Sequence, residues 1–262
     1  MGKQQDTEGK IKILPDFVAN QIAAGEVVQR PESVVKELVE NSLDSGADTI
    51  AVIVKDAGKK LIHIVDNGEG ISRQDLSLIT KRHATSKIFT AEDLQKILTY
   101  GFRGEAVASI SSVALLEIRT KRADDSVGWK LIAEPTKPDK IEPGSSDNGT
   151  QVFVRNLFYN VPARRKFLKS NLTEFRHISE TMTKFAISNP NKRFTFYDDN
   201  TLIFDLKPTT PEKRVFEALG PKAENSMMEV KYESELMKIS GYIGQPRLAR
   251  KSRTGQYLFL NN

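Results

Sequence analysis

Residues 31–44 read PESVVKELVENSLD and residues 49–70 read TIAVIVKDAGKKLIHIVDNGEG; the fold turns on these two segments. Pro31 suits the first position of a helix. Val34, Val35, Leu38, Val39 and Leu43 recur at helical spacing and give that helix an apolar face. Gly46 is a natural stop. Next, Ile50 to Lys55 and Leu61 to Val65 are β-branched runs separated by Asp56-Ala57-Gly58-Lys59-Lys60, which reads as a hairpin. At about 100° per residue, Glu37, Asn41 and Asp44 fall within roughly 60° of arc opposite the apolar face. A carboxylate one turn from an amide oxygen suits metal-assisted phosphoryl transfer. Asn41 offers a hard oxygen to Mg²⁺, and Glu37 can act as general base on a water. Taken alone, the same pattern also suits a solvated helix face.

The strand after Leu61 delivers Asp66-Asn67-Gly68-Glu69-Gly70. A carboxylate only accepts hydrogen bonds, so a buried Asp66 would favour adenine, with its six-position amine, over guanine, with its carbonyl. An ordinary Asn-Gly turn gives the same string. Gly101-Phe102-Arg103-Gly104-Glu105-Ala106 leads glycines straight into a helix, where free amides and the helix dipole favour an anion. Upstream, Thr85-Ser86-Lys87 adds two hydroxyls and a cation, as a phosphate lid would. Each is also compatible with a plain helix–helix loop. Gly149-Thr150, opening a further strand, carries little alone.

The rest of the chain mixes helices and strands. Ser72 with Asp75, and Thr90 with Asp93, are spaced as helix caps. Helices are expected at 105–113, 162–168, 173–188 and 213–219, and strands at 115–119, 129–133, 151–156, 193–197, 201–206, 227–232, 236–243 and 256–260. Residues 134–149 read as a loop. Lys207 to Pro211 reads as a linker. The spacing predicts an α+β sandwich on a largely antiparallel or mixed sheet, and the final apolar run, Tyr257 to Leu260, reads as a strand of a second domain cut short.

Composition removes several classes. The 262 residues contain no cysteine, so disulfides, thiolate catalysis and cysteine-held zinc are excluded. His63, His83 and His177 lack metal-ligand spacing. No run approaches the roughly 18 apolar residues of a membrane span, and the polar start lacks a signal-peptide core; membrane attachment is not expected and a cytoplasmic protein is. There is no P-loop, H-E-x-x-H or G-x-S-x-G. Net charge is +5, which permits nucleic-acid binding without demanding it.

The order Glu37/Asn41/Asp44, Asp66/Gly68/Gly70, Gly101/Gly104, Gly149/Thr150 resembles the N, G1, G2 and G3 boxes of the ATPase superfamily shared by gyrase, the heat-shock chaperone, histidine kinases and MutL. IAAGEVV (22–28), VKELVENS (35–42), RHATSK (82–87), GFRGEA (101–106) and PARRKFL (162–168) narrow it. Over residues 11–262 the chain resembles bacterial MutL-type DNA mismatch-repair proteins in particular.

The resemblance implies a two-layer α/β sandwich of the gyrase/MutL ATPase type over residues 1–207, with residues 1–24 a flexible arm. Residues 208–262 would begin an incomplete second, ribosomal S5-like domain. It implies a Mg²⁺-dependent ATPase. Glu37 would be the general base, Asn41 the Mg²⁺ ligand, and Asp66 the adenine anchor with Thr150 helping through water. Asn41, Asp44, Gly68 and Gly70 would line the ATP site, and Thr85, Ser86, Lys87, Gly101, Phe102, Arg103, Gly104, Glu105 and Ala106 would form the lid. ATP would order the arm, including Ile22 to Glu26, and drive dimerisation. A family lysine that reaches the γ-phosphate lies beyond Asn262, so hydrolysis by these residues alone is expected to be weak. DNA, a MutS-type mismatch-recognition protein and downstream repair enzymes are the expected partners. The basic clusters Arg164, Arg165, Lys166 and Arg247, Arg250, Lys251, Arg253 are DNA-contact candidates, although Pro162 to Leu168 also suits an interdomain packing element.

Overall fold

The computed structural model describes residues 12–88, 90, 92–95, 99–224, 226–249 and 255–260. Alternating apolar runs build one mixed sheet. Its strands are β1 (Thr49–Lys55), β2 (Leu61–Asp66), β3 (Leu115–Lys121), β4 (Trp129–Ala133), β5 (Lys140–Pro143), β6 (Gly149–Arg155), β7 (Arg193–Asp198) and β8 (Thr201–Leu206). The order is β5-β4-β3-β6-β2-β1-β7-β8. Only β1 with β7 is parallel; the other neighbours are antiparallel.

One face of the sheet is covered by α1 (Asp16–Val27), α2 (Pro31–Asp44), α4 (Ala106–Val113) and α6 (Asn171–Ser188). The short helices α3 (Arg73–Leu76) and α5 (Pro162–Phe167) lie in the connections. The apolar stripe of α2, Val34, Val35, Leu38 and Val39, is buried with Ile62, Ile64, Val152 and Val154 in one core; each such side chain contributes about 1.5–3 kcal/mol. Ser72 caps α3 and Ser170 caps α6 through their side-chain oxygens, and Thr90 with Asp93 forms the reciprocal pair that opens a 3-10 turn, Glu92–Gln95.

After β8, α7 (Pro211–Leu219) packs on α6, followed by α8 (Pro221–Glu224) and a hairpin of β9 (Met227–Glu233) and β10 (Lys238–Gly244). The hairpin touches α7 through Tyr242 on Phe216, ring centroids 5.2 Å apart. Its other face, with Met228, Val230, Tyr232, Ile239 and Ile243, is exposed.

Three expectations change. The stretch 134–149 is not all loop: Lys140–Pro143 forms edge strand β5 on β4. Its Pro143 is tolerated because an edge strand needs hydrogen bonds on one side only. Gln256 to Leu260 forms no strand; an apolar run without a neighbouring strand has nothing to ladder against. From Asp16 onward the supposed flexible arm is helix α1, anchored on α4 with Ala24 fully buried; residues 1–11 lie outside the described residues.

The opposite face of the sheet carries His63, stacked on Phe153 at 3.9 Å, with Arg155 and Arg119 over the same ring at 4.7 and 5.1 Å. Burial first, and the two guanidinium groups after it, push the His63 pKa from 6.5 down to about 4. The folded protein thus keeps His63 neutral where the unfolded chain protonates it. Its contribution is intact above pH 6.5 and is lost as pH falls towards 4. His63→Phe, which preserves the stack, is expected to flatten the decline of the urea midpoint across that interval. An unchanged slope would assign the acid sensitivity to other groups.

Candidate nucleotide site

Helix α2 brings two sets of contacts together. On its outer side, Lys87 Nζ donates to Asn41 Oδ1 at 3.0 Å and to Asp44 Oδ2 at 2.6 Å. Asp44 also accepts from the backbone N–H groups of Tyr100 at 2.9 Å and Gly101 at 3.1 Å. The Asp44 side chain is only 6% exposed, and these three donors satisfy it. The predicted lid segments therefore converge on the N-box face. They also dock on each other. Gly104 has φ +63 and packs so closely on the Ala84 carbonyl that a Cβ would overlap it, so glycine is required there for both reasons.

On the next residue of α2, Ser42 Oγ donates to Asp66 Oδ2 at 2.7 Å. Asp66 Oδ1 accepts from the N–H of Gly68 at 3.0 Å and of Thr150 at 3.2 Å. Burial pushes the Asp66 pKa above its ordinary value, opposed by these hydrogen bonds. Gly70, φ +74, abuts the Lys121 carbonyl and seats the turn against the end of β3.

Asp66, Thr150 and Thr120 are direct neighbours across β2, β6 and β3. The rows behind them, Ile64-Val152-Ile118 and Ile62-Val154-Leu116, are apolar. The helix-covered face of the sheet thus ends in one polar row.

Glu37 lies one turn before Asn41, its side chain 27% exposed and 3.5 Å from Lys36 Nζ. Asn41, not a cation, stands at i+4 from Glu37; the neighbour at i−1 supplies the positive charge. Arg103 is exposed and stacks over Phe102 at 5.4 Å. Glu105 pairs with His83 at 3.3 Å and Arg82 at 3.6 Å, so its carboxylate braces the lid from behind. Thr85 Oγ1 accepts from the Lys87 N–H at 3.2 Å, Ser86 is exposed, and Ala106 starts α4. A cleft of about 160 Å³, lined by Phe17, Gln21, Thr80, Ser111 and Asp139 among others, shares none of Asn41, Asp44, Asp66 and Thr150.

The donor set fits a hard cation. Lys87 already places a positive charge between an amide oxygen and a carboxylate oxygen, the ligand types that magnesium takes.

The basic clusters fare unequally. Arg164 Nη2 donates to the carbonyls of Gln21 at 2.7 Å and Ile22 at 3.3 Å, in a space that a side chain at Gly25 would fill. It therefore braces α1 instead of standing free for phosphate. Arg165, Lys166 and Arg247 are exposed. Arg250, Lys251 and Arg253 lie outside the described residues.

Sequence reasoning missed Ser42, Tyr100 and Thr120. Ser42 lies in the apolar phase of α2 beside Val35, Leu38 and Val39, and Thr120 ends an alternating strand on its buried side. Polar residues at apolar phase positions were the available signal. Tyr100 acts through its backbone and left none.

Residues 29–140 match the family described as histidine kinase-, DNA gyrase B- and HSP90-like ATPase, and residues 215–262 match the DNA mismatch repair protein C-terminal domain. The chain is 47% identical over 251 residues to the DNA mismatch repair protein MutL of Porphyromonas gingivalis, covering 96% of this chain and 41% of that protein. It is 48% identical over 252 residues to the MutL of Christiangramia forsetii, with 96% and 41% covered. The chain thus spans about two fifths of the length of these relatives. Among solved structures, the Aquifex aeolicus MutL ATPase domain complexed with ADP aligns with a TM-score of 0.62 at 32% identity, covering 79% of this chain and 73% of that one. The N-terminal domain of a DNA repair protein aligns with a TM-score of 0.74 at 28% identity, covering 89% and 74%.

Proposed function

The chain belongs to the MutL family of DNA mismatch-repair proteins, and from that membership we propose that it binds ATP with Mg²⁺, hydrolyses it slowly, and uses the bound nucleotide to control its own dimerisation during mismatch repair. The observation that carries this reading is the meeting on α2 of two contact sets, Asn41 and Asp44 with the lid segments and Ser42 with the buried Asp66.

In this reading Asp66 accepts from the adenine amine, and Thr150 assists it. Asn41 would hold Mg²⁺ through its amide oxygen, and Asp44 keeps the lid backbone on α2. The metal, when bound, offsets the negative charge of the phosphates. Thr85, Ser86, Lys87 and the Gly101–Ala106 loop, with the start of α4, surround the phosphate chain and exclude water. Lys87 must move from Asn41 to the phosphates as the nucleotide enters. Glu37 takes the proton of the water whose oxygen bonds to the γ-phosphorus as the bond to the β–γ bridging oxygen breaks, and ADP leaves with phosphate as the second product.

DNA, a MutS-type mismatch-recognition protein and downstream repair enzymes are the proposed partners, in the cytoplasm. No helix among the described residues is long and apolar enough to cross a membrane. For DNA, the exposed Arg165 and Lys166 are the first contacts to test.

Asp66→Asn tests the nucleotide reading. It exchanges an acceptor for a group whose amide can face the adenine amine or Ser42 with the wrong polarity. Losing a charge-assisted hydrogen bond costs about 1.5–3 kcal/mol, so ATP affinity by calorimetry should fall roughly ten- to a hundredfold. A folded variant that bound ATP like the parent would remove the basis of the assignment.

A further inference from the structure

Thr120 is fully buried on β3, and nothing in the nucleotide reading uses it. Its hydroxyl sits at the centre of a closed network. The Ile71 N–H donates to Thr120 Oγ1 at 2.8 Å, Gly149 O lies 2.9 Å away, and Thr150 Oγ1 lies 3.1 Å away. The directions of these bonds follow from what each group can do. An amide N–H only donates, and a carbonyl only accepts. Thr120 must therefore accept from Ile71 and give its single proton to Gly149 O. What remains toward Thr150 is a lone pair, so Thr150 is the donor in that contact. Its proton is then committed inward, and its lone pairs are left for whatever approaches the row.

We propose that Thr120 is a specificity-positioning residue: by holding the Thr150 hydroxyl as an acceptor beside the Asp66 carboxylate, it makes the polar row read adenine and reject guanine. The inference rests on the nucleotide reading above and deepens it. Two acceptors side by side match the two N–H bonds of the adenine amine and oppose the guanine carbonyl at the same position. Without the Thr120 hydroxyl, the Thr150 proton is free to turn outward and donate to that carbonyl. Thr120 also ties three elements of the site, the Gly70-Ile71 turn, β3 and the start of β6, so its removal alone would alter stability; discrimination between bases is the separate signature.

The test is binding of ATP and of GTP, each with Mg²⁺, to the parent, Thr120→Val, Thr120→Ser and Thr150→Val, with thermal denaturation of each. Thr120→Val is nearly isosteric. It is expected to reduce the ratio of GTP to ATP dissociation constants about tenfold, the size of one misdirected hydrogen bond, and Thr120→Ser should keep the parent ratio. Thr150→Val should reduce the ratio as well, which keeps the test decisive if Thr120→Val fails to fold. An unchanged ratio in Thr120→Val, even with a lowered melting temperature, overturns the inference, as does an unchanged ratio in Thr150→Val. A parent that bound ATP no better than GTP would overturn both this inference and the adenine assignment of Asp66, whereas parent ATP preference with unchanged variant ratios would overturn the role of Thr120 alone.

Discussion

Glu37→Ala is expected to lower the turnover number for ATP by about 10²–10⁴-fold, the usual worth of a positioned general base, with ATP affinity essentially unchanged. The reason lies in how α2 divides its work. Asn41 and Asp44 hold Lys87 of the lid, and Ser42 holds Asp66; in the proposed reading these, and not Glu37, are the groups that bind nucleotide. Glu37 stands one turn earlier, and its partner is the half-exposed Lys36 at 3.5 Å. An ion pair of that exposure contributes at most about 1 kcal/mol, so the substitution should leave the fold intact. Single-turnover hydrolysis measured beside calorimetric binding separates the two roles. Turnover retained within a few-fold would exclude Glu37 as the base, and nucleotide would then act on this chain only as a ligand.

Arg214→Leu is expected to destabilise the protein by about 3–5 kcal/mol, the scale for losing several buried hydrogen bonds at once. Arg214 has no exposed surface. Its Nη1 donates to the carbonyls of Ala186 at 2.9 Å and Asn189 at 3.3 Å. Its Nη2 donates to those of Pro190 at 3.1 Å, Lys192 at 2.9 Å and Lys207 at 2.7 Å. One guanidinium thus fastens α7 to the end of α6 and to the strands beside it, and no other side chain presents its donors in that planar fork. Leucine fills the space but leaves the carbonyls short of donors, each a cost of about 1–3 kcal/mol where water does not enter. Thermal unfolding should begin roughly 10 °C lower. A melting temperature within about a degree of the parent would show that water replaces the guanidinium at little cost.

Periodicity explains which parts could be read in advance. The stripe of α2 and the alternation of β1, β2, β3 and β6 repeat over enough residues to fix type and facing, and with them the positions of Asn41, Asp44, Asp66 and Thr150. β5 was not legible because Lys140-Ile141-Glu142-Pro143 is too short and polar for a pattern; its pairing with β4 makes it a strand. α1 was missed because Ala19, Ala23, Ala24 and Gly25 give no strong stripe, so its helicity depends on docking against α4. The parallel pairing of β1 with β7 joins residues far apart in the chain and leaves no local mark. The direction of individual charges was equally hidden. Lys87 reads as a phosphate ligand and is found on Asn41 and Asp44; Arg214, which no sequence pattern singles out, is wholly enclosed.

The Arg164 brace on α1 changes what a salt titration with DNA can report. Each phosphate neutralised adds about 0.9 to the slope of log affinity against log salt on duplex DNA. A guanidinium already committed to the carbonyls of Gln21 and Ile22 releases no counterion, so the slope should count Arg165 and Lys166 but not their neighbour. Deleting Arg164 together with them would mix two losses, phosphate contact and the seating of the first helix, into a single number.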